Sequence, residues 1–172
     1  LQQSAMARFD SSDIAALQPN AFEGFTPQNF ADVLQPASLS GATAEQLSSL
    51  KSEFFVDADG NMTEAFETIS NLPSIALSGL AGNQLQNFSC EHILSLPDPQ
   101  IMGELFHHWP AENANGLSAE DITSLPEAAF LGLGSQHFAQ MTPDAIGGIT
   151  SEQFSSLVNA SEGDGTTFSN GD

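Results

Sequence analysis

The chain has 172 residues, 40% of them hydrophobic, enough for one buried core or one run of stacked repeats and too apolar for disorder throughout. It carries 22 acidic residues against two basic ones, Arg8 and Lys51, for a formal charge of −20. A surface of that sign repels nucleic-acid phosphates and anionic headgroups, which argues against nucleic-acid and membrane-surface partners, and no apolar run reaches the roughly 18 residues of a transmembrane segment.

Apolar residues recur along the chain with a period of 16. Leu1, Met6 and Phe9 fit the last three apolar positions of a unit whose start is missing, so residues 1–13 read as a partial N-terminal repeat. The first whole unit opens at Ile14 and continues through Leu17, Phe22 and Phe25, which sets apolar positions at 0, +3, +8 and +11. Phe30 opens the second, with one extra residue near Leu34, and runs on through Val33 and Leu39. Leu47 opens a third, followed by an insertion at 51–68. Ile69 (with Leu72, Leu77 and Leu80) and Leu85 (with Phe88, Ile93 and Leu96) keep the spacing. Ile101 opens a unit with a second insertion at 106–117, where Trp109 holds the +8 core position and AENANG is expected to protrude. Ile122, Phe138 and Phe154 open the last three, and Leu125, Met141 and Leu157 follow them at +3. The repeat domain is thus 14–158, and the polar 159–172 reads as a flexible tail.

Each unit has the chemistry of two short helices. Thr43, Ser118 and Thr150 are N-caps whose capping boxes are closed by Gln46, Asp121 and Gln153. Positions 0 and +3 share one face of the helix that follows. Proline at +5 (Pro19, Pro143) or +4 (Pro73, Pro126) ends that helix and starts a second at its first position, where a missing N–H costs nothing. A small residue at +7 (Ala21, Ala76, Ala129, Ala145) precedes the large one at +8. Glycine at +10 (Gly24, Gly79, Gly132, Gly148) suits a left-handed C-cap. Helices this short are not stable alone, so stacking must bury them. The expected fold is all-α, a right-handed helical solenoid of about nine 16-residue repeats, each two short helices joined at a proline corner. The rival is a leucine-rich solenoid built on strands; it requires an L-x-L alternation that does not recur here.

Ile122, Leu125, Pro126, Phe130, Leu133 and Phe138, with their equivalents from Ile69, carry a spacing that resembles the superhelical repeats of the mesothelin, stereocilin and otoancorin family. The resemblance covers most of residues 14–157. It implies an armadillo-like superhelix on an extracellular, GPI-anchored glycoprotein that works by adhesion.

Candidate sites are few. Asp57, Asp59 and Asn61 in VDADGNMTE are weak calcium candidates, but Gly60 and Thr68 fall where an EF-hand loop does not place them, and a D-G turn explains the segment. Asn61, Asn87 and Asn159 each begin a glycosylation sequon. Cys90 is the only cysteine, open to an intermolecular disulfide or to a buried thiol; with His92, His107 and His108 it matches no standard zinc spacing. No motif for a nucleophile, phosphate loop or metalloprotease is present, so no enzyme is expected and no cofactor beyond calcium. The functional expectation is an extracellular structural or adhesive repeat protein. It would self-associate head to tail into filaments, Leu1, Met6 and Phe9 forming an assembly end, or bind other surface glycoproteins. The alternative is an acidic binding module for a basic protein or a calcium-bridged glycan, with the two insertions as recognition loops.

Overall fold

The computed structural model describes residues 9–80 and 82–163, and over them the chain is mostly helical. Leu1 and Met6 lie outside the described residues. Helices α1 (Ser11–Ala16), α2 (Pro19–Phe22), α3 (Pro27–Val33), α4 (Pro36–Leu39) and α5 (Ala44–Ser48) come first. A hairpin turn follows, closed by an isolated antiparallel bridge between Val56 and Met62. The chain continues with 3₁₀ helix η1 (Phe66–Asn71), α6 (Ser74–Leu77), α7 (Gly82–Leu85), α8 (Cys90–Leu94), α9 (Pro99–His108) and 3₁₀ helix η2 (Ala111–Gly116). It closes with α10 (Ala119–Ser124), α11 (Glu127–Leu131), α12 (Ser135–Phe138), α13 (Pro143–Gly147) and α14 (Ser151–Gly163). Helix α14 carries the chain five residues into the stretch expected to be a flexible tail.

The caps account for where the helices begin. Thr43 with Gln46 and Ser118 with Asp121 form the expected capping boxes, joined by Asp10 with Asp13, Thr26 with Asn29, and Ser89 with His92. Thr150 and Gln153 exchange the same pair of hydrogen bonds. Proline is the first residue of α2, α3, α4, α9 and α13. Pro73 and Pro126, one residue earlier in their units, are instead extended N-cap residues. Their φ suits either place.

Two expectations are corrected. The glycines at +10 are not left-handed caps: Gly132 has φ −70° and Gly148 φ −80°, and among the described residues only Gly60 has a positive φ, 81°, in the hairpin turn. Gly79, Gly132 and Gly148 instead have another helix lying against them, with no room for a Cβ. A Cβ on Gly79 would sit 2.0 Å from the carbonyl oxygen of Ala44, on Gly132 2.1 Å from that of Gly103, and on Gly148 2.3 Å from that of Ala119. The insertions, secondly, are not protruding loops. AENANG is η2, with Ala114 and the following Leu117 buried, and Phe54, Phe55, Val56, Ala65 and Phe66 of the first insertion are all core residues. Only the turn at 58–62 of that hairpin is exposed. Each insertion puts large apolar side chains where a second helix of the unit is due, so burial wins over looping out.

The commonest long-range packing sets an element against the element three places further on, beside the contacts of α9 with α7 and α8 and of α3 with η1. So α1 meets α4, α2 meets α5, α6 meets α9, α9 meets α11, η2 meets α12, α10 meets α13, and α11 meets α14. With the hairpin counted as one place, α4 on η1 and α5 on α6 obey the same rule. So does the edge-to-face contact of Phe30 in α3 with Phe54 in the hairpin, centroids 5.2 Å apart. The buried side chains form one continuous core from Ile14 to Ala145.

Candidate functional site

One position of the unit, the residue just before position 0, ties its helix to the C-terminal end of the element four places earlier. Gln46 donates from Nε2 to the carbonyls of Ile14 (2.7 Å) and Leu17 (2.8 Å). Gln153 donates to those of Ile122 (2.7 Å) and Leu125 (3.1 Å), and Gln84 to those of Ser48 (3.2 Å) and Leu50 (3.1 Å). These three glutamines are almost wholly buried. Each satisfies carbonyls left open at the C-terminal end of an earlier helix. His137 takes the same position in its unit. Its Nδ1 accepts from the Gly134 N–H at 2.9 Å, which leaves the proton on Nε2 to donate to the Trp109 carbonyl at 2.9 Å. The ring also stacks on Trp109, at 18° between planes, while the indole N–H donates to the Phe88 carbonyl at 2.8 Å.

Gln46 and Gln153 are legible in the sequence as caps, and both do cap, through Oε1. Their second role, and the roles of Gln84 and His137, were missed. The signal was present: Gln46, Gln84, His137 and Gln153 align at one position of the 16-residue unit.

Burial of the apolar positions is complete through most of the chain and lapses at one end. Ile14, Phe30, Leu47, Ile69, Leu85 and Ile122, all at position 0, are each 0% exposed, whereas Phe154 is 61% exposed. At +8, Phe22, Leu77, Ile93 and Phe130 are likewise 0% exposed, against 46% for Ile146. Ile149 and Leu157 are only partly covered. An apolar face thus lies across α13 and α14, and acidic Asp144 and Glu152 are exposed beside it. At the opposite end Gly24, the +10 glycine of the first unit, has no helix against it: among the described residues its Cβ would meet only the Ala21 carbonyl, at 3.4 Å. A separate shallow groove runs between the α1–α2 corner and the start of α5, lined by Ala16, Leu17, Pro19 and Ala44, with Ile75 81% exposed at its rim.

The remaining sequence candidates are scattered. Phe9 is half-buried against the core. Asp57 turns its carboxylate inward: Oδ1 accepts from the N–H of Asp59 (2.9 Å) and of Asn61 (2.8 Å), and the Asn61 amide lies against both oxygens. Those bonds hold its carboxyl below the ordinary range, chiefly through Asn61. Among the described residues no three His, Cys, Asp or Glu side chains converge on a point that could hold a metal. Asn61 and Asn159 are exposed, while Asn87 is half-buried and its amide reaches the Val56 carbonyl at 3.5 Å. Cys90 is buried, and desolvation, with the charges of Asp121 and Glu91, pushes its thiol up to about 12. That state is unreactive toward disulfide formation. His92 is occupied as a cap residue, accepting from the Ser89 N–H, and His107 and His108 stand edge to face on α9. Among the described residues no helix is long and apolar enough to cross a membrane. No protein-family model, curated protein or solved structure matches this chain.

Proposed function

We propose that this chain is a structural or adhesive repeat protein: a solenoid of about nine two-helix units that works through its surfaces and ends rather than by catalysis. The observation that supports the reading is the recurring packing of an element on the one three places earlier, together with the buried Gln46, Gln84 and Gln153, each of which ties its helix to the end of the element four places earlier. A chain built by that rule grows in one direction, and each unit is buried only by its neighbours. Phe154 and Ile146, exposed at positions that are buried in most other units, are apolar surface of the kind adhesion uses. A few of the acidic side chains serve their own helices, as Asp10, Asp13 and Asp121 do in caps. An extracellular setting rests on the exposed sequons at Asn61 and Asn159. The spacing shared with the mesothelin, stereocilin and otoancorin repeats points the same way.

Bead clustering tests the reading directly. Beads coated with the protein should adhere to one another, and to bare beads much less. Coated beads that stay dispersed at every salt concentration would overturn self-adhesion. Capture by polylysine-coated beads that vanishes with added salt, without self-clustering, would replace it with a binding module for basic partners.

A further inference from the structure

One of the four buried ties differs from the others in kind. Gln46, Gln84 and Gln153 donate through amides whose charge never changes, whereas His137, at the same position, carries a ring that can take up a proton. Both of its nitrogens are committed. Nε2 donates to the Trp109 carbonyl, and Nδ1 needs its lone pair to accept from the Gly134 N–H. His137 is 0% exposed. A proton added at Nδ1 would turn that acceptor into a donor facing a donor, in a place closed to solvent.

The surroundings do not offset the charge. Among the described residues the partners of His137 are Gly134 and Trp109, and no carboxylate pairs with it. Helix α12 has no other titratable group. Of the elements against it, η2 brings Glu112, α9 brings Glu104, His107 and His108, and α11, whose Phe130 ring meets that of Phe138, brings Glu127. Glu112, Glu127 and His107 are exposed, and Glu104 and His108 are half-exposed. The stacked indole of Trp109 would favour an imidazolium at its face, but it offers Nδ1 no acceptor. His92 provides the contrast: its Nδ1 also accepts a backbone N–H, from Ser89, yet the residue is half-exposed and water can take over that bond. The formal charge of −20, meanwhile, draws protons toward every histidine.

We propose that His137 makes the contact of α12 with η2 and the end of α9 an acid-released joint, closed only while the ring is neutral. Protonation breaks the bond to Gly134 and leaves a buried, unpaired charge, so the ring leaves its seat. Trp109 then loses its stacking partner, and its carbonyl turns to water. The indole N–H is bonded to the Phe88 carbonyl, so the joint links three units of the series. The open form binds one proton more than the closed one. Its population relative to the closed form therefore rises as pH falls, by at most about tenfold per pH unit.

Trp109, the only tryptophan and 3% exposed, reports the joint. Quenching of its fluorescence by acrylamide, followed from about pH 8 to about pH 5 at constant salt, should rise in acid for the wild-type chain. His137→Gln keeps both bonds with a group that does not titrate, and its quenching should stay flat; circular dichroism at the neutral end checks that it is folded. His108→Gln should keep the rise. Nitrogen NMR of the wild-type imidazoles needs no variant: His137 should gain its Nδ1 proton over the same pH range in which Trp109 becomes quenchable. A folded His137→Gln chain that opens in acid as the wild type does overturns the proposal. So does a wild-type Trp109 that stays shielded throughout, or a His137 that is charged while Trp109 remains shielded.

Discussion

Gly147 and Gly148 are neighbours in sequence with opposite surroundings, and exchanging each for alanine isolates the packing rule. Gly148 has φ −80° and ψ −6°, a conformation alanine adopts freely, so no backbone strain enters. The added methyl would stand 2.3 Å from the Ala119 carbonyl oxygen and 2.7 Å from its Cα. Ordinary contact begins near 3.4 Å, so α10 and α13 must part by about 1 Å. Neither neighbour is a flexible side chain that could step aside. Overpacking of that kind costs about 1–3 kcal/mol. At Gly147 nothing lies within 4 Å, and alanine gains up to about 1 kcal/mol of helix propensity. Urea titrations followed by circular dichroism should therefore place Gly148→Ala below and Gly147→Ala at or above the wild type, about 1–4 kcal/mol apart. If Gly148→Ala unfolds within ~0.5 kcal/mol of the wild type, the close approach of α10 to α13 is wrong.

His137 should be replaceable by the residue its alignment names. His137→Gln can keep both the bond to Trp109 and the cap at Gly134, and should cost under about 1.5 kcal/mol, while His137→Ala leaves a buried carbonyl unpaired and costs about 2–4 kcal/mol; fluorescence of Trp109, the only tryptophan, reports both. Burial, aided by the charge of His107, lowers the His108 pKa below its ordinary 6.5. The unfolded chain then binds more protons there, so stability is complete above 6.5 and is lost as pH falls through the folded value. His108→Gln should flatten that slope in urea midpoints taken on either side of 6.5. Cys90, with its thiol near 12, should resist a thiol reagent at neutral pH until urea opens the chain. Its linkage has the other sign: stability is complete below the ordinary 9.0 and is lost as pH rises through about 12, and Cys90→Ala removes that alkaline loss.

Much of this fold was legible in the sequence, because a 16-residue period of apolar positions and caps is a local signal. The helix starts at Thr43, Ser118 and Thr150 came from side chains reaching their own backbone, and the core residues at 0, +3 and +8 followed from periodicity. What failed was whatever depended on a distant neighbour. Gly79, Gly132 and Gly148 read as caps because a C-cap is the common local use of glycine, whereas the residue pressing on each comes from another helix 29 to 35 positions earlier in the chain. Gln84 looked like an ordinary surface glutamine until the carbonyls of Ser48 and Leu50 were beside it. AENANG looked like a loop by composition, yet Ala114 inside it is wholly buried. Phe154 and Ile146 have the spacing of core residues and yet are 61% and 46% exposed, a difference that periodicity alone does not show.

In the proposed function, two-helix units stack in one direction and molecules of the protein adhere to one another. The most direct test is the mass of the wild-type chain by light scattering over a dilution series at low and high salt. Self-association predicts a mass that climbs from 18.1 kDa as concentration rises. A mass that holds at 18.1 kDa across the series, at both salt concentrations, would contradict it.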